Sequence, residues 1–143
     1  MTVDREIVST RVLDVPREKI WEAWTDPKKL AAWFGPKGFT NTFQEFDPRP
    51  GGMWRFIMRG SGGREYPNES RFVELVRPER IVFDHLCAPI FRATATFEEQ
   101  AGKTKITYRM LFEDAAEYEK VKVYAPAANE QNFGRLEQQL GAG

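Results

Sequence analysis

Residues 127–140, with the sequence AANEQNFGRLEQQL, decide the fold that this chain is expected to adopt. Four apolar or amide residues recur there at steps of four, three and four, on one face of a helix: Asn129, Phe133, Leu136 and Leu140. At 1.5 Å per residue the segment spans about 21 Å, enough to cross several strands spaced about 4.8 Å apart. Pro126 predicts a kink or break before it, and Gly141 predicts its end. The chain therefore closes with a long amphipathic helix.

Two shorter helices are predicted near the start of the chain. The first runs from Pro16 to Thr25, with a proline at a position where its missing N–H costs nothing. Asp26 is the expected N-cap of the second helix and Pro27 its first residue, and Gly35-Pro36 ends it. Their apolar faces are formed by Ile20, Trp21, Trp24, Leu30, Trp33 and Phe34.

Most of the remaining sequence has the composition of strands separated by turns. Asp4–Leu13 is the first strand candidate, and turn-forming stretches rich in Gly and Pro recur at spacings of about 10–15 residues after the helices. Six further strands lie between these turns: Phe39–Phe46, Met53–Arg59, Glu69–Val76, Arg80–Leu86, Phe91–Glu98 and Thr104–Phe112. This regular spacing indicates an antiparallel meander rather than βαβ units.

Two of these strands alternate clearly enough to assign their faces. Trp54, Phe56 and Met58 share one face, and Arg55 lies on the other. The last strand does the same with Ile106, Tyr108, Met110 and Phe112. One packed face and one wet face are typical of an open antiparallel sheet. The packed face needs a cover, and the final helix is the long amphipathic element available. We therefore predict an α+β fold with about seven strands, two short N-terminal helices and a long C-terminal helix.

Composition bounds the functions that this chain can have. Its 143 residues predict one domain over 1–143, and 21 basic against 21 acidic residues give no net charge, which argues against nucleic-acid binding. One cysteine and one histidine predict no internal disulfide, no metal site and no cofactor. Without an apolar run of about 18 residues or a signal-peptide core, a cytoplasmic protein with no membrane partner is expected.

Four blocks of sequence resemble a known family. They are Val15–Pro27 followed by Leu30, Trp33, Gly35 and Pro36; Asp47–Gly52 with Trp54, Phe56 and Met58; Arg77–Phe83; and Asn129, Gln131, Asn132, Phe133, Arg135 and Leu136. Together they resemble bacterial relatives of the activator of the ninety-kilodalton heat-shock protein ATPase (AHSA1-like, SRPBCC), within the START-like helix-grip superfamily. The resemblance spans about residues 6–140.

The resemblance implies a helix-grip fold, in which a curved sheet wraps around the C-terminal helix and leaves a cavity between them. Members of the superfamily range from lipid carriers to cyclases and co-chaperones, so a shared fold does not specify one chemistry. The first hypothesis for this chain is a protein that binds a hydrophobic small molecule in that cavity.

Twelve residues are the candidates for lining such a cavity: Trp24, Trp33, Phe34, Trp54, Phe56, Met58, Phe83, His85, Tyr108, Met110, Asn129 and Phe133. For each aromatic residue the alternative is ordinary core packing. Asn129 either binds a polar group of the ligand or satisfies a buried partner. Cys87 is expected to be structural, since two positions along a strand separate it from His85 by about 6.6–7 Å.

Two other functions remain open, and each has a structural signature. A co-chaperone-like interaction, or self-association, would be favoured by an exposed apolar patch around Trp33-Phe34-Gly35-Pro36. A cyclase-type or hydrolase-type enzyme would need at least two of His85, Glu74 and Asn129 to converge on one cavity. In that case Glu74 would share the inner face of its strand with Phe72.

Overall fold

The computed structural model describes residues 5–35 and 37–140, so the roles predicted for Pro36 and Gly141 lie outside the described residues. The strands are β1 (Glu6–Leu13), β2 (Thr40–Phe46), β3 (Met53–Arg59), β4 (Glu65–Val76), β5 (Arg80–His85), β6 (Phe91–Gln100) and β7 (Lys103–Phe112). The helices are α1 (Arg17–Thr25), α2 (Pro27–Trp33), α3 (Ala115–Val121) and α4 (Ala125–Gln139). Each predicted strand is present, with small differences at the ends.

The seven strands form one antiparallel sheet in the order β1-β7-β6-β5-β4-β3-β2. Strands β2 to β6 each pair with the next strand in the chain, as a meander predicts. The first strand joins the far edge by pairing with the last, from Glu6 opposite Leu111 to Leu13 opposite Thr104. The open, curved sheet with its C-terminal helix confirms the predicted α+β helix-grip architecture.

Two β-bulges bend the sheet on either side of β3. The pairing register shifts between Phe43 and Glu45 in β2 and between Phe72 and Glu74 in β4, and an extra residue in one strand increases its local bend and twist. Because Val73 is the extra residue in β4, Phe72 is buried while Glu74 is exposed and pairs with Arg80 at 2.7 Å. The orientation of Glu74, which the mixed alternation of this strand left open, is therefore outward.

Strand β4 begins four residues before its predicted start, and it contains a proline. Pro67 pairs opposite Ile57 of β3, whereas the pairing of β4 with β5 begins only at Ser70. At Pro67 the strand is thus a local edge, where a missing N–H breaks no ladder hydrogen bond. The proline therefore lies in a part of β4 that pairs with β3 alone, and it does not end the strand.

The break predicted at Pro126 lies slightly earlier in the chain. Helix α3 is capped by Asp114, whose side chain accepts a hydrogen bond from Ala116 N at 2.8 Å, and it ends at Val121. Helix α4 then begins at Ala125, so Pro126 lies in its first turn, where backbone N–H groups have no partner within the helix. The proline therefore starts α4 and does not kink it.

The core forms where the concave face of the sheet meets α1, α2 and α4. Trp54 is 1% exposed and sits among aromatic rings with centroid distances of 4.8 to 6.0 Å. These rings belong to Phe34, Phe43, Phe46, Phe56, Phe72 and Phe83. Aromatic side chains of β2 to β5 and of the segment after α2 therefore supply this part of the core.

We expect Gly52→Ala to destabilise the fold severely. A Cβ at Gly52 would lie 2.0 Å from the carbonyl oxygen of Asp47, which real structures do not allow, so the turn before β3 must rearrange. We expect the free energy of unfolding to fall by more than about 2 kcal/mol in urea titrations. Gly62→Ala is the matched control, because nothing lies within 4 Å of its Cβ position and the change should stay within about 0.5 kcal/mol. Equal effects of the two substitutions would contradict this explanation.

Candidate functional site

A pocket of about 180 Å³ lies between the concave face of the sheet and the first half of α4. Nine of the twelve predicted residues line it: Phe34, Trp54, Phe56, Met58, Phe83, His85, Tyr108, Met110 and Asn129. The other three, Trp24, Trp33 and Phe133, surround a separate void of only about 10 Å³ and fill the core beside it. Nine of the predicted residues thus form the pocket wall, and the other three belong to the hydrophobic core.

Strand register brings one lateral row of side chains to the pocket. Trp54 pairs opposite Ser70, Ser70 opposite His85, and His85 opposite Phe91, so all four point to the same face of the sheet. Each of them lines the pocket. Ser70 and Phe91 were not among the predicted residues. Ser70 and Phe91 could have been identified from their pairing opposite Trp54 and His85, but the pairing register of strands cannot be read from a single sequence.

Helix α4 leaves space under its first half because the residues that face the sheet there are small. Ala125, Ala128 and Asn129 line the pocket, whereas Phe133 and Leu136 in the second half are buried. The amide of Asn129 donates hydrogen bonds to Ser9 Oγ at 3.1 Å and to Met110 Sδ at 3.6 Å. Asn129 therefore ties α4 to β1 and β7, while its side chain also reaches the pocket wall.

His85 is 8% exposed and is held on both sides of its ring. Nδ1 lies 2.8 Å from the carbonyl oxygen of Pro89, which can only accept, so this nitrogen donates. Nε2 lies 2.8 Å from Asn68 Oδ1, and the ring stacks on Phe91 with centroids 4.9 Å apart. Burial lowers the pKa of His85 below its ordinary value of 6.5, and hydrogen bonds with the backbone of Pro89 and Cys87 partly oppose that shift.

Cys87 lies closer to His85 than predicted. Strand β5 ends at His85, so residue 87 is not two steps farther along an extended strand, and its Sγ lies 3.6 Å from His85 Nε2. The expectation that a spacing of about 6.6–7 Å along a strand keeps Cys87 out of direct reach of His85 is therefore wrong. The sulfur also lies 3.9 Å from the carbonyl oxygen of Pro67, and Nε2 already contacts Asn68. The thiol belongs to a small polar cluster at the end of β5.

Side chains of α4 clamp the end of α2, a role that was not predicted. Gly35 N donates to Asn132 Oδ1 at 2.6 Å, and Arg135 donates to the carbonyl oxygens of Gly35 at 2.8 Å and Ala32 at 3.0 Å. The carbonyl of Ala32 is one of the last C=O groups of α2, which have no partner inside the helix, and the two Gly35 groups belong to the segment that follows it. The clamp fixes the segment that carries Phe34 into the pocket. No local pattern in the sequence indicates this contact, because it joins residues about a hundred positions apart.

Charged side chains line the outer face of the sheet rather than the pocket. Arg55 pairs with Glu69 at 3.0 Å, Arg92 with Asp84 at 2.7 Å, and Arg109 with Glu6 at 3.2 Å. No Lys, Arg, Asp or Glu is among the described residues that line the pocket. Burial raises the pKa of the Tyr108 hydroxyl, so it too stays uncharged. The site is therefore apolar with a few neutral polar groups.

Across residues 5–35 and 37–140, no three His, Cys, Asp or Glu side chains come together in a way that could hold a metal ion. Within the same residues, no helix combines the length and the hydropathy needed to cross a membrane.

Comparison with known proteins gives one family and one fold. A profile of the family described as Activator of Hsp90 ATPase homolog 1-like protein matches residues 14–141. A search of curated proteins finds no significant match.

Solved structures that resemble the chain are bacterial. An NMR structure of a protein from Arthrobacter aurescens has a TM-score of 0.90 at 19% identity, covering 100% of this chain and 90% of that one. A crystal structure of a protein from Nitrosomonas europaea has a TM-score of 0.86 at 21% identity, covering 94% of this chain and 93% of that one. The crystal structure of the AHSA1 protein from Silicibacter pomeroyi has a TM-score of 0.77 at 16% identity, covering 94% of this chain and 96% of that one. At these identities the likeness establishes the fold.

We expect Arg135→Ala to weaken the structure by removing the donors to Ala32 and Gly35. A part-buried carbonyl oxygen at Gly35 and a more exposed one at Ala32 would lose a charged partner, and the free energy of unfolding should fall by about 1.5–3 kcal/mol in urea titrations. Arg92→Ala is the control, since its partner Asp84 is on the outer face and exposed ion pairs are worth less than about 1 kcal/mol. An Arg135 variant no weaker than the Arg92 variant would show that the clamp is dispensable.

His85 should make the fold less stable in mild acid. Between the lowered folded-state pKa and 6.5, the unfolded chain binds a proton that the folded chain does not, so stability falls as the pH drops below 6.5. The slope cannot exceed about 1.4 kcal/mol per pH unit for one group. His85 is the single histidine, so His85→Gln should flatten the profile of unfolding free energy from pH 7.5 to 5. Parallel profiles for the two proteins would rule this out.

Proposed function

The chain belongs to the family of Activator of Hsp90 ATPase homolog 1-like proteins, and we propose that it is a binding protein for an apolar or amphipathic small molecule held between the sheet and α4. The observation that carries the proposal is the pocket itself. It has about 180 Å³ of space and walls of aromatic and aliphatic side chains. An engineered apolar cavity of about 150 Å³ in another protein binds benzene, so the space suits a molecule built on a single ring.

The arrangement of polar groups supports binding over catalysis. His85 and Asn129 line the same pocket, which meets the geometric condition stated for an enzyme, whereas Glu74 lies on the outer face of the sheet. Both ring nitrogens of His85 contact protein oxygens, and the Asn129 amide donates to Ser9. Groups already engaged in this way position the pocket wall and are poorly placed to transfer protons to a substrate.

The patch that would favour a co-chaperone-like role is not found among the described residues. Trp33 is 2% exposed, Gly35 is buried, and Phe34 lines the pocket. The apolar side chains of this segment thus serve the interior, which supports the small-molecule proposal over an interaction surface at this position.

Blocking the pocket from α4 tests the proposal directly. In thermal unfolding of the full chain, isopropylbenzene or acetophenone at a hundred times its dissociation constant should add about 2.7 kcal/mol, or roughly 8 °C in Tm. Ala128→Leu places extra carbons in the pocket and should abolish the shift. Ala127→Leu makes the same change at the exposed neighbouring position and should leave the shift intact.

Native mass spectrometry of the purified chain provides a second measurement. A copurified small molecule should be present in the wild-type protein and in Ala127→Leu, and should be absent from Ala128→Leu. If neither probe raises Tm and no copurified molecule is seen, the pocket is empty space in a folded core and the proposal is wrong.

A further inference from the structure

Two buried side-chain polar atoms of residues that line the pocket have no hydrogen-bond partner among the described residues. They are the indole Nε1 of Trp54 and the hydroxyl Oγ of Ser70, and both residues are 1% exposed. The neighbouring Asn68 donates to the carbonyl oxygen of Tyr66 at 2.8 Å, and its Oδ1 lies 2.8 Å from His85 Nε2. Among the described pocket-lining residues, Trp54 and Ser70 therefore carry the fully buried polar atoms that lack a partner.

These two residues are direct neighbours across the sheet. Trp54 of β3 pairs opposite Ser70 of β4, and both side chains lie on the concave face. Side chains that are opposite each other in an antiparallel pair have Cβ atoms about 4.5–5.5 Å apart. Native proteins rarely leave such groups buried and unpaired, because each then loses its hydrogen bonds to water without replacement.

The chemistry of the two atoms limits what can satisfy them. An indole N–H can only donate, and a hydroxyl can donate or accept, so the group that pairs with both must be an acceptor. No cationic or anionic side chain lines the pocket among the described residues. An ionised ligand would then be buried without a counter-charge, which is strongly unfavourable.

We infer that the ligand is an uncharged molecule of one-ring size that carries a hydrogen-bond acceptor, such as a ketone, ester or ether oxygen, and that Trp54 and Ser70 are the donors that recognise it. This inference rests on the proposed function and narrows it from apolar ligands in general to neutral acceptor-bearing ones. Apolar contacts from the surrounding rings bind the body of the ligand, and the donor pair selects its functional group.

The test compares probes with equal numbers of heavy atoms: acetophenone carries an acceptor, isopropylbenzene has none, and benzoate is an anion. Dissociation constants are measured by calorimetry on the full chain at pH 7.5. In Ser70→Ala, acetophenone should bind about tenfold more weakly while isopropylbenzene stays within about twofold. Benzoate should show no binding. Thr104→Val, which removes a buried hydroxyl that neither lines the pocket nor contacts a residue that does, should leave the ratio of the two neutral probes unchanged.

Trp54→Phe provides a second variant, read through the same acetophenone-to-isopropylbenzene ratio so that any loosening of the core cancels. A ratio unchanged in both Ser70→Ala and Trp54→Phe would overturn the inference while leaving the proposed function in place, since isopropylbenzene still binds. Tighter binding of benzoate than of acetophenone would overturn the requirement for a neutral ligand. Failure of both neutral probes to bind the wild-type chain would overturn the proposed function together with the inference.

Discussion

The position of α4 relative to the sheet is the constraint on which the pocket depends. In its second half the helix packs closely, with Phe133 and Leu136 buried, and Asn132 and Arg135 hold the end of α2. In its first half the residues that face the sheet are small, and the pocket lies beneath them. Because α4 is a rigid helix held at its C-terminal half and through Asn129, its N-terminal half cannot move closer to the sheet. The space is thus maintained by contacts made elsewhere along α4.

The sheet contributes the opposite wall through its curvature and its register. Bulges in β2 and β4 bend the strands on either side of β3, and they turn Phe43, Phe46 and Phe72 toward Trp54. Register then sets the polar groups of the wall, because it places Ser70 between Trp54 and His85. Curvature produces the concave surface, and register decides which functional groups it presents.

Local patterns in the sequence were sufficient for the architecture. The strands, the two short helices and the closing helix each had a clear periodicity, and nine of the twelve predicted residues reach the pocket. Prediction failed or stayed open where a strand is irregular. At a β-bulge or at a strand end the simple alternation of side chains no longer holds, and only the pairing of the strands shows this. The orientation of Glu74 was left open and is decided by a bulge that reverses the alternation after Phe72, and the distance of Cys87 from His85 was overestimated because β5 ends at His85. The clamp by Arg135 joins residues a hundred positions apart, which no local pattern indicates.

The small residues Ala125 and Ala128 separate two roles of α4, which are to pack against the sheet and to leave space beneath its first half. The backbone of the helix is held by its other residues, so the side chains at these two positions can change in size without moving the helix axis. Each substitution there alters the room available beneath the helix and little else. For the proposed ligand these two positions would set the room available, while the backbone around them follows a fold that agrees with other proteins at TM-scores of 0.77 to 0.90 despite 16–21% identity.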